Sequence, residues 1–260
     1  METIVPRGVP PSMPDPALSR ALSTMVGAIG LPEFSVHFQR ALKDLADVDQ
    51  TLVFSFEKGR GPSAIFGYHA TEPLLVPRML REYTRRFYTA DPVFNRGYRN
   101  RDYAAPTLLK LGPDDYRCIG IRHVLYEGGG VVERACIAFW DGEQFYSTNL
   151  YRSAASGRFD AESLDRLVWL APILASCITR HARLMDDPER AFVVREAFDK
   201  LSPREGEVVK LLLRGLPNRG IAAHMGVAED TVLTLRKRAY AKLGVSSVGE
   251  LYALVGRAVA

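Results

Sequence analysis

Basic and hydroxyl side chains gather on one side of a segment near the C-terminus, spaced to meet phosphates and base edges rather than to make or break a bond. Between Ala228 and Leu243, Val232, Leu235, Ala239 and Leu243 recur at i, i+3, i+7 and i+11, a stripe that one face of a helix buries. The opposite side carries Asp230, Leu233, Thr234, Lys237 and Ala241, with Arg236, Arg238 and Lys242 on its flanks. Glu229 and Asp230 in the first turn complement the positive end of the helix dipole. A helix so divided can enter a major groove.

Other elements must hold that helix in place, and local signals predict them. Ser202 stands at an N-cap, Pro203 at the first helical position, and Glu205 three residues after the cap. Val208, Val209, Leu211, Leu212 and Leu213 then give an apolar face, and Gly215 offers a left-handed stop. A second short helix starts at Pro217 and Asn218, with Ile221, Ala222 and Met225 on its buried side, and Gly226 permits the sharp reversal into the basic helix. Charge follows the same division. The chain has 34 Lys/Arg against 30 Asp/Glu; residues 201–260 hold nine against five, which leaves residues 1–200 balanced at 25 each. The whole positive excess therefore sits on the module that would meet phosphate.

LSPRE, the E-V-x-K-L run, G-L-x-N, I-A-x-x-M-G-V, D-T-V and Y-x-K-L-G-V resemble the DNA-binding domain of LuxR-type transcription regulators. The resemblance covers about 60 residues and implies a four-helix module, the fourth helix running from Ser247 to Val259 and packing through Val248, Leu251, Tyr252, Leu254 and Val255. It implies double-stranded DNA as partner and action as a homodimer. It assigns base-edge reading to Leu233, Thr234 and Lys237, and anchoring on the DNA backbone to Thr231, Arg236, Arg238 and Lys242. Gly220, Ala228 and Leu235 depart from the family, which usually has Glu, Ser and His there; an alanine cannot cap a helix, a loss of roughly 1 kcal/mol.

Upstream, five prolines at positions 6, 10, 11, 14 and 16 make residues 1–16 a disordered arm. Helical patterns follow over 17–30 and 32–46. Strands are predicted from Thr51 to Glu57, from Ser63 to His69, from His123 to Tyr126, from Val131 to Trp140 and from Phe145 to Tyr151. A helix is predicted from Val76 to Tyr88, a short acidic one from Asp114 to Cys118, and a long one from Ala161 to Met185 with Leu164, Leu167, Val168, Ala171, Leu174 and Ile178 inward. The fold class expected is α+β: an antiparallel sheet of about five strands with flanking helices over residues 17–185, a linker over 186–200, and the all-α helix-turn-helix domain over 201–260. The N-terminal order resembles GAF and PAS-like sensors and the ligand domain of acyl-homoserine-lactone receptors, domains that hold a small molecule between sheet and helices.

Within that unit, Tyr83, Phe87, Tyr88, Asp91, Phe94, Tyr98 and Tyr103 make an aromatic-rich stretch around one acid. Y-T-R-R-F-Y-T-A-D-P-V resembles the aromatic-then-DPV stretch of the lactone receptors, and the resemblance implies that Asp91 accepts a ligand N–H while Tyr83 or Tyr88 donates to a carbonyl. The residues alone leave a second role open for Asp91, a structural cap at the turn before Pro92. Phe54, Phe56, Phe66, Tyr68, Cys136, Ala138, Trp140, Tyr146 and Thr148 either line a cavity or fill a core, and Trp140 joins Tyr83, Tyr88 and Asp91 as a candidate ligand contact. Arg78, Arg81, Arg85, Arg86, Arg96, Arg99 and Arg101 suit an anionic ligand or form a solvated helix face. The effector classes expected are a lactone, an aromatic or an anionic metabolite.

Other chemistries find no pattern. No GxSxG, HExxH or P-loop occurs, so no catalytic residue or cofactor is expected. Cys118, Cys136 and Cys177 lie far apart without a CxxC, which points to neither a disulfide framework nor a metal site. No apolar stretch reaches the roughly 18 residues of a membrane span, and the N-terminus lacks a signal peptide's order, so a cytoplasmic protein with no membrane partner is expected. Two function classes follow: a DNA-binding transcription regulator controlled through its N-terminal domain by a small molecule or a partner, or a ligand-binding or protein-interaction adaptor that works without sequence-specific DNA.

Overall fold

The computed structural model describes residues 1–5, 16–31, 33–59, 61–69, 76–127, 130–185, 198–213 and 216–255. Six strands form one antiparallel sheet: β1 (Glu2–Ile4), β2 (Gln50–Glu57), β3 (Pro62–His69), β4 (Thr107–Leu111), β5 (Val131–Asp141) and β6 (Gln144–Ser153), in the spatial order β1-β4-β5-β6-β2-β3. The central strands are rich in β-branched and aromatic residues, and β2 and β6 are buried on both sides along most of their length. A two-residue turn at Gly142 and Glu143, with Gly142 in the left-handed region at φ 61°, closes the β5–β6 hairpin.

Because side chains alternate, the sheet makes two cores. One face packs on α1 (Pro16–Gly27), α2 (Phe34–Ala46) and α6 (Ala161–Met185), burying Phe34, Phe38, Leu42, Val53, Ile137, Tyr146, Leu150, Leu167 and Ile178. The other buries Leu52, Phe54, Phe56, Leu109, Cys136, Ala138 and Phe145 under α3 (Val76–Glu82), α4 (Pro92–Phe94) and α5 (Ile119–Arg122). Each of these three short helices runs on into a π-helical turn, at Tyr83–Phe87 behind α3, Asn95–Arg99 behind α4 and His123–Glu127 behind α5. The strand residues expected to line a cavity or fill a core are thus split: Phe54, Phe56, Cys136, Ala138 and Trp140 belong to the second core, Phe66 and Tyr146 to the first. A register shift between Val53 and Phe54 pairs Phe66 with Val53 but Ala64 with Phe54.

Three expectations need correction. Residues 1–16 are not wholly an arm: Glu2, Thr3 and Ile4 pair with Lys110, Leu109 and Leu108. The prolines begin only at Pro6, so this segment keeps its donors, and Glu2 meets Lys110 at 2.9 Å; residues 6–15 lie outside the described residues. His123–Tyr126 is helical rather than a strand, since Ile121 and Leu125, four apart, bury one face of a continuing helix. The acidic helix at 114–118 is a single 3-10 turn, Pro113–Asp115. With β4 unread in the sequence and β1 taken for an arm, the expected sheet of about five strands becomes six.

The C-terminal unit is all α: α7 (Pro203–Leu213), α8 (Asn218–Met225), α9 (Glu229–Leu243) and α10 (Val248–Val255) around Val208, Leu212, Ile221, Val232, Ala239, Leu243 and Leu251. Phe198 and Leu201 also pack on this core, so the unit starts ahead of residue 201. Most of the expected linker, 186–197, and the last residues, 256–260, lie outside the described residues. Among the described residues no helix is long and apolar enough to cross a membrane.

Gly97 gives a test of the second core. A Cβ there would lie 2.2 Å from the Phe145 ring carbon Cζ. Gly97→Ala is expected to destabilise the chain by about 1–3 kcal/mol, measured by urea unfolding followed by fluorescence; an unmoved midpoint would mean that the Phe145 ring yields freely.

Candidate functional site

Tyr83 and Asp91 come together inside the second core. Asp91 ends the irregular stretch behind α3 with φ −76° and ψ 123°, and its Oδ1 accepts the Val93 backbone N–H at 2.8 Å, which makes it the N-cap of α4. Its Oδ2 accepts from the Tyr83 hydroxyl at 2.8 Å and from Arg134 Nη1 at 2.9 Å. Both charged side chains are sealed from solvent, Asp91 at 0% and Arg134 at 1% exposure. Arg134 also donates from Nη1 to the Tyr116 hydroxyl at 2.6 Å and from Nε to Asn149 Oδ1 at 3.0 Å, with Nη2 on the same oxygen. Asn149 is fixed in turn by donating to the Leu52 carbonyl at 3.0 Å. Burial pushes the Tyr83 hydroxyl well above the usual tyrosine range, and the Asp91 carboxylate adds to this. Burial likewise raises Tyr116 well above it, against the pull of Arg134. For Arg134 burial opposes the charge, yet the Asp91 carboxylate outweighs it and the guanidinium is held more firmly protonated.

Tyr88 and Trp140 stand apart from that cluster, linked to each other through an aromatic row. Tyr88 meets Phe94 edge-on at 5.1 Å, Phe94 stacks on Tyr98 at 5.0 Å, and Tyr98 stacks on Trp140 at 5.7 Å. The Trp140 indole N–H donates to the carbonyls of Gly97 and Asp102, and the Arg101 guanidinium lies 4.5 Å from its ring. Of the arginines in this region, Arg86 pairs with Glu82 at 3.9 Å, Arg96 with Asp102 at 3.5 Å and Arg101 with Glu143 at 3.3 Å. The side chain of Arg78 lies outside those described. The sequence pattern singles out neither Arg134, which engages Asp91 from the sheet, nor Asn149, which holds Arg134, although Arg134 falls in phase with Cys136, Ala138 and Trp140 along β5.

In the C-terminal unit, Gly226 takes φ 65° and turns the chain from α8 into α9. The start of α7 is fastened reciprocally: the Ser202 N–H donates to Glu205 Oε2 at 2.7 Å, and the Glu205 N–H to Ser202 Oγ at 3.3 Å. Along α9, Val232, Ala239, Tyr240 and Leu243 are buried and Leu235 is half-buried. Thr231, Leu233, Thr234, Lys237 and Arg238 are exposed. Arg236 donates to Asn218 Oδ1 at 3.2 Å and lies 5.4 Å from the Tyr240 ring, tying α9 to α8. Lys242 reaches Glu205 Oε2 at 2.7 Å, tying α9 to α7. The helix therefore presents a mostly uncharged centre with Lys237 and Arg238 beside it.

Residues 199–255 match the family model described as bacterial regulatory proteins, luxR family. These residues form a LuxR-family helix-turn-helix domain. A putative HTH-type transcriptional regulator of Aeromonas salmonicida is 45% identical over 56 residues, covering 22% of this chain and 29% of that protein. The transcriptional regulatory protein MctR of Rhizobium johnstonii is 28% identical over 120 residues, covering 45% and 56%. The chain thus spans less than two thirds of the length of either. In structure the chain is similar to the VqsR LBD domain from Pseudomonas aeruginosa, with 19% identity, 65% of this chain and 99% of that one covered, and a TM-score of 0.49.

The three departures within the LuxR-family domain have distinct local consequences. Ala228 is the N-cap of α9 and makes no side-chain cap bond, so the helix start relies on Glu229 and Asp230 in its first turn. A Cβ on Gly220 would meet Pro217 Cδ at an ordinary 3.4 Å, so the backbone does not require glycine there. Leu235 packs half-buried on the core. The Lys242 ammonium, with the Ser202 N–H, holds the Glu205 carboxyl below its usual value of 4.5. A depressed carboxylate stabilises the fold above its unfolded pKa and loses that contribution as pH falls through the folded value. Thermal unfolding of the whole chain should accordingly show Glu205→Gln less stable than wild type at neutral pH, the deficit shrinking as pH falls below 4.5; an equal deficit at all pH would assign Glu205 a packing role only.

Proposed function

We propose that the chain is a sequence-specific, DNA-binding transcription regulator of the cytoplasm that acts as a homodimer, with the N-terminal unit controlling its LuxR-family domain. The observation that carries this reading is the exposed side of α9. Leu233, Thr234 and Lys237 face outward to read base edges, Thr231 and Arg238 flank them to hold the DNA backbone, and Arg236 and Lys242 brace the helix while remaining near enough to phosphate to assist. Binding, not bond-making, is the chemistry proposed.

Footprinting of the full chain on genomic fragments across a salt series tests it. Protection of discrete sites with affinity falling steeply as salt rises is expected; protection nowhere would favour the adaptor reading. Lys237→Ala should relax base preference by about 1–3 kcal/mol at one position if it reads guanine, whereas an even loss over all sequences would assign it to phosphate.

Homodimer action is supported by the outward side of α6. Trp169, Pro172, Ile173 and Ser176 make an exposed strip there, with Trp169 at 41% and Ile173 at 48% exposure. Glu162 and Asp165 lie before it, Arg180 and Arg183 after it. Two copies of α6 crossing antiparallel about Pro172 and Ile173 set Glu162 opposite Arg183 and Asp165 opposite Arg180 of the second copy, an isologous match of apolar centre and charged ends. Glu162 already meets Arg166, and Arg183 meets Asp141, but a carboxylate and a guanidinium each have capacity for a second partner. Trp169→Glu should convert a sedimenting dimer to monomer and weaken binding to a two-half-site fragment roughly tenfold or more; a dimer unchanged by that substitution removes α6 as the contact.

A further inference from the structure

We propose that Arg134 is the resident ligand of the Asp91 acceptor, so that the N-terminal unit carries its own occupant between sheet and helices and reaches its folded state without a small molecule. Both oxygens of Asp91 are already engaged, Oδ1 by the Val93 N–H and Oδ2 by Tyr83 and Arg134. The occupant is itself held from several sides, by Asp91, by Tyr116 and by Asn149. Its partners come from separate segments: Asp91 from the start of α4, Tyr116 from the loop before α5, and Asn149 from β6.

The chemistry makes that occupancy hard to reverse. A guanidinium on a carboxylate is a charge-assisted bond, stronger than the bond a neutral amide N–H would offer the same oxygen. An incoming ligand that took Oδ2 would leave Arg134 charged and buried against Tyr116 and Asn149 with no counter-ion, the arrangement proteins tolerate least. A signal acting on this unit therefore enters from the surface, through a protein partner or a second copy. This occupancy belongs to the N-terminal unit whether or not α9 binds DNA.

The full chain tests it in three arms. Unfolded in urea and returned to plain buffer, it should regain its thermal midpoint; recovery only in the presence of cell extract would overturn the proposal. N-octanoyl homoserine lactone in excess should leave the wild-type midpoint unmoved, and a stabilisation abolished by Asp91→Asn would overturn it. Arg134→Ala should lower the midpoint by roughly 10 °C. N-ethylguanidinium, the fragment this substitution removes, should restore part of that loss at millimolar concentration where ethylammonium does not. No rescue, or equal rescue of an Asp91→Asn, Arg134→Ala chain, is the contrary result. Should Arg134→Ala not fold, Arg134→Met, Asp91→Asn and their combination decide: the double variant should lie closer to wild type in soluble yield and urea midpoint than either single one, and a double variant as damaged as the two losses added would refute the pairing.

Discussion

A guanidinium buried out of water admits few arrangements, because every N–H it keeps must find an acceptor and its charge must find an opposite one. That constraint organises the helical side of the N-terminal unit. Arg134 projects from an inner strand, and the segment that carries Asp91 and Tyr83 must lie across the sheet at hydrogen-bonding distance from it. The helices there are short and broken by π-helical turns at Tyr83–Phe87, Asn95–Arg99 and His123–Glu127. A π turn inserts a residue and shifts which side chains face inward. Tyr83, the first residue of one such turn, is buried against Phe54, their rings stacked at 4.3 Å, with its hydroxyl on Asp91. The regular helices α1, α2 and α6 cover the opposite face, whose contacts are mostly apolar, and hydrophobic packing alone suffices to place them.

The C-terminal unit solves a smaller version of the same problem. Glu205 is buried and meets Lys242 from α9, so the far end of α9 is fastened to the first turn of α7. Arg236 fastens the middle of α9 to Asn218 at the start of α8. Two of the basic residues that a composition count assigns to DNA therefore also brace the helix. In both units a cation braces the fold through an acceptor on another element, with the difference that Arg134 is sealed inside while Lys242 and Arg236 keep contact with solvent.

How much of this was legible depended on how local the signal was. The start of α7 and the turn from α8 to α9 are written in neighbouring residues, Ser202 with Glu205 and Gly226 between two helices, and the structure has both where the spacing put them, while the stop expected at Gly215 lies outside the described residues. Strands β2, β3, β5 and β6 and the long α6 were likewise readable from periodicity. β1 and β4 were not: each is short, and each becomes a strand by pairing with a partner far away in sequence. Arg134 escaped for a related reason. A single arginine in a run of apolar residues reads as a position turned to water, and only its phase with Cys136 and Ala138 hinted that it points into the core. Asp91 presented two roles as rivals, acceptor or cap, but a carboxylate has two oxygens, and one caps α4 while the other holds Arg134.

If the interior of the N-terminal unit is filled by its own arginine, control of DNA binding must work through what that unit offers at its surface. A dimer reading two half-sites gains from linkage, since binding by one domain raises the effective concentration of the other at the neighbouring half-site. The outward side of α9 presents Lys237 and Arg238 beside an uncharged centre, a modest grip for a single copy. Under the proposed homodimer the gain from pairing is a large part of the total affinity, and whatever shifts the population of paired chains shifts occupancy of DNA by a similar factor. A rigid, self-filled unit suits that task, because it holds the outward strip of α6 in one arrangement and spends no binding energy on ordering its own core.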